Sequence, residues 1–172
     1  MSSNLGRSGD SSHCPDVLVL GLGNTILTDD GVGIYAARLV RERVDDFCVA
    51  VKEASMGGLE LLELMRGFKR VILVDAIFTG NSSPGSLVRM KAEELRSGSA
   101  LSRHQISLPE ALGLAESLNI EVPKEIIIYG IEAQDVYTFS ESCTPEIEKS
   151  LPDVADAIVQ EAMQLTECDK KE

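Results

Sequence analysis

The chain contains no tryptophan, only two histidines and 4% aromatic residues in 172. Few rings are available to stack on bases or sugars, which argues against those substrates. Cations are also scarce. Sixteen Lys and Arg stand against 28 Asp and Glu, a formal net charge of -12 that repels phosphate backbones and anionic headgroups. The sequence therefore predicts no nucleic-acid partner. The four cysteines, Cys14, Cys48, Cys143 and Cys168, form no C-x-x-C pair, which excludes a zinc ribbon or a redox dithiol. Reduced thiols in a cytoplasm are the expectation, with Cys48 and Cys143 as packing residues and His13-Cys14 as part of a tail. Met1 to Asp16 lacks the apolar stretch of a signal peptide. Runs such as Val71 to Val74 and Ile126 to Ile128 fall far short of the ~20 residues that cross a bilayer, so no membrane insertion is expected.

What is present fits one soluble domain. Hydrophobic residues make up 44% and charged residues 26%, near globular averages. The expected organisation is a flexible N-terminal tail over residues 1–15, a single α/β domain over 16–166 and a C-terminal tail over 167–172. Val17 to Leu20, stopped by Gly21, reads as a buried strand, and Val32, Ala36, Leu39, Val40 and Val44 have helical spacing. Phe47 to Val51 is predicted as a second strand, followed by a short helix on Leu59, Leu62 and Met65 that ends near Gly67. Val71 to Val74 is the third strand, with Asp75 at its tip. Leu87 to Met90 reads as an edge strand.

Ser107-Leu108-Pro109-Glu110 has the form of a capping box, opening a helix over Ala111 to Leu118. Ile126 to Tyr129 is the last buried strand. Thr144-Pro145-Glu146 starts a C-terminal helical region that Pro152 is expected to split. The order predicts a three-layer α/β/α sandwich around a mostly parallel, mixed twisted sheet of about five strands. Nothing in the sequence marks an oligomeric state.

In such a sheet the ligand crevice lies beyond the carboxyl ends of the strands. Polar residues there are the candidates for chemistry. The loop Gly21 to Gly33 begins like a dinucleotide fingerprint, but Ile26 replaces the third glycine and the loop runs on before the helix. Its Asp29 and Asp30 are either functional or caps of the following helix. Asp75 after strand three is functional or a loop cap. His104, just before the capped helix, is either a third functional group or a solvated loop residue. Two carboxylates and an imidazole converging would make an O, O, N ligand set for a borderline divalent ion such as zinc or nickel. Ser55, Ser102 and Ser107 sit in no G-x-S-x-G elbow, which disfavours serine chemistry.

At these residues the chain resembles the hydrogenase maturation endopeptidases. The family's opening G-x-G-N-x-[IL]-x-x-D-[DE]-G-x-G stands as Gly21-Leu22-Gly23-Asn24-Thr25-Ile26-Leu27-Thr28-Asp29-Asp30-Gly31-Val32-Gly33. Val74-Asp75-Ala76, His104-Gln105-Ile106-Ser107-Leu108 and Thr144-Pro145-Glu146 match its V-D-A, H-x-x-x-L and T-P-E. The similarity runs from about Asp16 to Met163. Departures lie in Glu53 to Gly58 and in Glu132 to Cys143, and bear on substrate preference more than on chemistry.

The resemblance implies a protease that trims the C-terminal extension from the large-subunit precursor of a nickel-iron hydrogenase. Nickel is then carried by the precursor rather than held by the enzyme, and Asp30, Asp75 and His104 are the residues that contact it. Either the metal or a proton-sharing Asp30 and Asp75 pair activates water. Two other readings share the sequence features. One is a non-catalytic metal-binding or escort protein. The other is a receiver-like phospho-acceptor domain, against which stand the long Gly21 to Thr28 insertion and the lack of a lysine just after Tyr129.

Overall fold

The computed structural model describes residues 15–44, 49–55, 59–92 and 108–168. Five strands form one sheet: β1 (Val17–Leu22), β2 (Val49–Ala54), β3 (Arg70–Ile77), β4 (Leu87–Lys91) and β5 (Glu125–Glu132). Their spatial order is β2-β1-β3-β5-β4. All pairings are parallel except β4 with β5, so β4 is the antiparallel edge expected of Leu87 to Met90. The helices are α1 (Val32–Arg41), α2 (Leu59–Met65), α3 (Leu108–Ser117) and α4 (Pro145–Cys168), with a 3-10 turn at Thr28–Gly31 before α1.

Strand alternation divides the core into two layers. Val17, Val19, Ile72, Val74, Ile127 and Ile131 face α1 and α4, packing on Val32, Ala36, Val40, Ile147, Ala155 and Ile158. Leu18, Leu20, Val71, Leu73, Ile126 and Ile128 face α2 and α3, on Leu61, Leu62, Met65, Ala111 and Ala115. This is the three-layer sandwich the element order predicts. Among the described residues no helix is long and apolar enough to cross a membrane.

Several boundaries differ from the sequence reading. β2 is described from Val49, and Phe47 and Cys48, where the sequence reading starts it, lie outside the described residues. β1 and β5 run on through Gly21 and Gly130, and β3 continues two residues past Asp75. Cross-strand pairing holds them extended: Gly21 sits between Glu53 and Val74, and Asp75 pairs with Gly130. Ser107, the expected cap of α3, lies outside the described residues. Pro152 does not split α4, which runs unbroken from Pro145 to Cys168. One missing helical donor is tolerated because Ile147, Val154, Ala155, Ile158 and Ala162 anchor the helix to the sheet on both sides of it.

The far edge of the sheet is tied to α4 by charge. Arg89 of β4 donates both Nε and Nη2 to the Glu161 carboxylate at 2.9 Å, and the Tyr129 hydroxyl of β5 donates to the same group at 2.9 Å. The paired guanidinium holds Glu161 below the ordinary carboxylate range. Burial, helped by the Glu161 contact, pushes the Tyr129 phenol up to about 12.

Candidate active site

The strand order reverses direction between β1 and β3, because the chain passes outward to β2 before returning to β3. At such a switch point the loops splay apart and leave a crevice at the carboxyl ends of the strands. Asp30 follows β1 and Asp75 lies near the end of β3, so the two carboxylates flank this point.

Glycine lets α1 pack directly on the two strand ends. A methyl group added at Gly33 would collide with the carbonyl oxygens of both Leu22 and Val74, so α1 begins directly against the ends of β1 and β3. Asp30 is three residues before Gly33, and Asp75 is bonded to Val74. Gly23, at φ +142°, lies under the Asp30 carbonyl, where any side chain would clash. The loop closes on itself: the Asn24 N–H donates to the Asp30 carboxylate at 3.1 Å, and the Asp30 N–H donates to the Leu27 carbonyl at 2.8 Å. Asp30 is half-buried. Asp75 is buried, and its Oδ1 accepts the Ala76 N–H at 2.8 Å. By alternation with Val71 and Leu73, Asp75 projects on the α2 and α3 side of the sheet.

The neighbouring Asp29 has a different task. It is fully buried, and its carboxylate accepts the N–H groups of Gln134 and Asp135 at 2.9 Å, the Thr144 N–H at 2.7 Å and the Thr144 hydroxyl at 3.0 Å. Its own N–H donates to the Asp135 carbonyl at 2.9 Å. Neither Asp29 nor Asp30 caps α1, whose cap residue is Gly31 with no side-chain hydrogen bond. The helix-cap alternative is therefore corrected: Asp29 pins the 28–31 turn to the loop after β5 and to the start of α4. Cys143 packs beside it, donating to the Thr28 carbonyl at 3.7 Å. Burial, with Asp29 and Glu148 nearby, pushes the Cys143 thiol up to about 12, which suits the packing role expected of it.

Sequence reasoning missed Glu132. This carboxylate is only 2% exposed at the end of β5, opposite Ile77 and on the same face as Asp75. It accepts the N–H groups of Thr79 and Gly80 at 2.8 Å and the Thr79 hydroxyl at 2.7 Å, folding the loop after β3 back over the strand end. Burial alone would raise its pKa, but these donors outweigh burial and hold it below the usual range. The signal was available, since an acid ending an apolar strand obeys the same strand-end logic as Asp75.

The stability that this depressed pKa contributes is fully present above the unfolded-state value of about 4.3 and is lost as pH falls through the folded value. Glu132→Ala is expected to lower stability by about 2–4 kcal/mol at pH 7, because two backbone N–H groups lose their acceptor. Glu132→Gln keeps an oxygen for them and should cost less, while flattening the acid limb of a urea-melt profile between pH 7 and 3. An unchanged acid limb would show that the loop is held by other contacts.

His104 lies outside the described residues, as do His13 and Cys14. The structure places Asp30 in the loop after β1 and Asp75 near the end of β3, on the strands either side of the switch point, and the third expected ligand lies outside the described residues. Among the described residues no three His, Cys, Asp or Glu side chains cluster to hold a metal ion.

Comparison with known proteins identifies the fold and the family. A family model described as hydrogenase maturation protease matches residues 34–161. Hydrogenase 2 maturation protease of Escherichia coli K12 is 30% identical over 155 residues, covering 86% of each chain. Among solved structures, the [NiFe] hydrogenase maturation protease HybD of Thermococcus kodakarensis superposes with a TM-score of 0.70 at 25% identity, covering 85% of this chain and 98% of that one. The maturating endopeptidase HybD of E. coli shares the fold with a TM-score of 0.67 at 24% identity, over 86% and 92% of the two chains. With a family match across most of its length and a relative 30% identical over 86% of both chains, the chain belongs to the hydrogenase maturation proteases and is a peptidase.

Proposed function

We propose that this peptidase removes the C-terminal extension from the large-subunit precursor of a nickel-iron hydrogenase, acting in the cytoplasm. What supports this reading is the placement of Asp30 after β1 and Asp75 near the end of β3, either side of the switch point, with α1 seated at Gly33 on both strand ends. Nickel belongs to the substrate in this scheme, already installed in the precursor. Two carboxylate oxygens and the His104 imidazole form an O, O, N set suited to a borderline divalent ion. Their approach to the loaded centre positions the extension across the crevice. The nickel supplies Lewis-acid polarisation, and a carboxylate of the pair takes the proton from the attacking water.

The test is the intact mass of a hydrogenase large-subunit precursor, with and without nickel, after incubation with this protein. Loss of a short C-terminal peptide from the nickel-loaded form alone is the expected result. Cleavage of both forms would remove nickel from the recognition step, and cleavage of neither would overturn the protease reading for that client.

A further inference from the structure

The loops beyond the ends of β1, β3 and β5 carry large apolar side chains that neither core layer takes up. Ile26, four residues before Asp30, is 50% exposed, and Phe78, three residues after Asp75, is 48% exposed. Phe139, in the loop that Asp29 anchors, is 79% exposed. The three loops meet. Leu27 and Phe139 form an antiparallel bridge, and the Ser140 N–H donates to the Ile26 carbonyl at 3.1 Å. The Phe78 and Tyr137 rings pack edge to face with centroids 6.1 Å apart. Three independent hydrogen-bond systems, at Glu132, Asp29 and Asp30, hold these loops in place.

Single exposed apolar residues are ordinary on a soluble protein. Four of them on adjoining loops, Tyr137 being 56% exposed, mark a contact surface. Its occupant follows from position and charge. A peptidase must grip the chain beside the bond it cuts, and Ile26 and Phe78 lie within four residues of the two candidate carboxylates along the chain. In a chain of net charge -12, this surface offers contact area without adding to the acidic field. We propose that Ile26, Phe78, Tyr137 and Phe139 form a specificity rim that grips a bulky apolar side chain of the precursor's C-terminal extension, beside the scissile bond. The assignment rests on the protease reading above.

Phe139→Ser and, from a different loop, Ile26→Ser test it in cleavage kinetics with the nickel-loaded precursor, after a thermal melt establishes that each variant folds like the wild type. Each is expected to raise KM about tenfold with kcat within about twofold, the pattern of lost substrate binding rather than lost chemistry. Replacing by serine the bulky apolar residue of the extension nearest the cut should produce the same loss. Combining it with Phe139→Ser should add little further, because the two changes remove one contact. Unchanged KM in both rim variants, or fully additive losses, would overturn the rim. Failure of the wild-type protein to cut any precursor would instead overturn the protease reading and, with it, this occupant.

Discussion

Asp75→Asn should slow precursor processing roughly 10²- to 10⁴-fold, the range associated with losing a positioned acid or base, while the chain stays folded. The substitution keeps the shape of the side chain and an oxygen able to accept the Ala76 N–H that Oδ1 now accepts at 2.8 Å. What it removes is the charge, and with it both a metal-seeking oxygen and a proton acceptor. Asp30→Asn is expected to behave alike, since an amide oxygen can still receive the Asn24 N–H donated at 3.1 Å and so preserve the loop. His104→Ala belongs to the same series. Single-turnover cleavage of the nickel-loaded precursor, alongside circular dichroism melts, separates chemistry from folding. Near-normal rates in the Asp30 and Asp75 variants would remove both from the active site and move the search along the crevice toward Glu132.

The placement of the two aspartates beyond β1 and near the end of β3 was legible because strand position is a local property. A run such as Val71 to Val74 announces a buried strand, and a carboxylate immediately after it stands at the mouth of the sheet. Helix positions were legible for the same reason, with Val32, Ala36 and Val40 at helical spacing all buried against the sheet. Strand ends were not, because pairing partners decide them: Asp75 stays extended because Gly130 lies opposite. Pro152 was misread because its local penalty is set against packing by residues on both sides of it, which local rules do not weigh. Glu132 entered the sequence reading only as the start of a segment departing from the family pattern, and its three donors come from residues 79 and 80, some fifty positions earlier in the chain.

Asp29 shows the limit of local reading most sharply, and its removal should be among the most damaging substitutions in the protein. Its acceptors serve Gln134, Asp135 and Thr144, partners 105 to 115 residues away, so nothing near it in sequence distinguishes it from a helix cap. Asp29→Ala would leave those three N–H groups and the Thr144 hydroxyl without their acceptor at a fully buried site. The expected cost is about 3–5 kcal/mol, the scale of breaking a buried charged network by deleting one member. It also withdraws a negative charge from the start of α4, where the helix dipole favours one. Asp29→Asn is the sharper probe. Its amide oxygen can keep the Oδ2 bonds to Gln134, Asp135 and the Thr144 hydroxyl, but its NH2 then faces the Thr144 N–H, donor against donor. A loss of roughly 1–3 kcal/mol is expected, enough to leave the protein folded at low temperature. Because Asp29 anchors the turn that carries Asp30, this variant should process precursor more slowly even where denaturant melts show it fully folded. Full activity in a destabilised Asp29→Asn protein would mean that the 28–31 turn keeps Asp30 in place without its buried anchor, leaving Asp29 a purely structural residue.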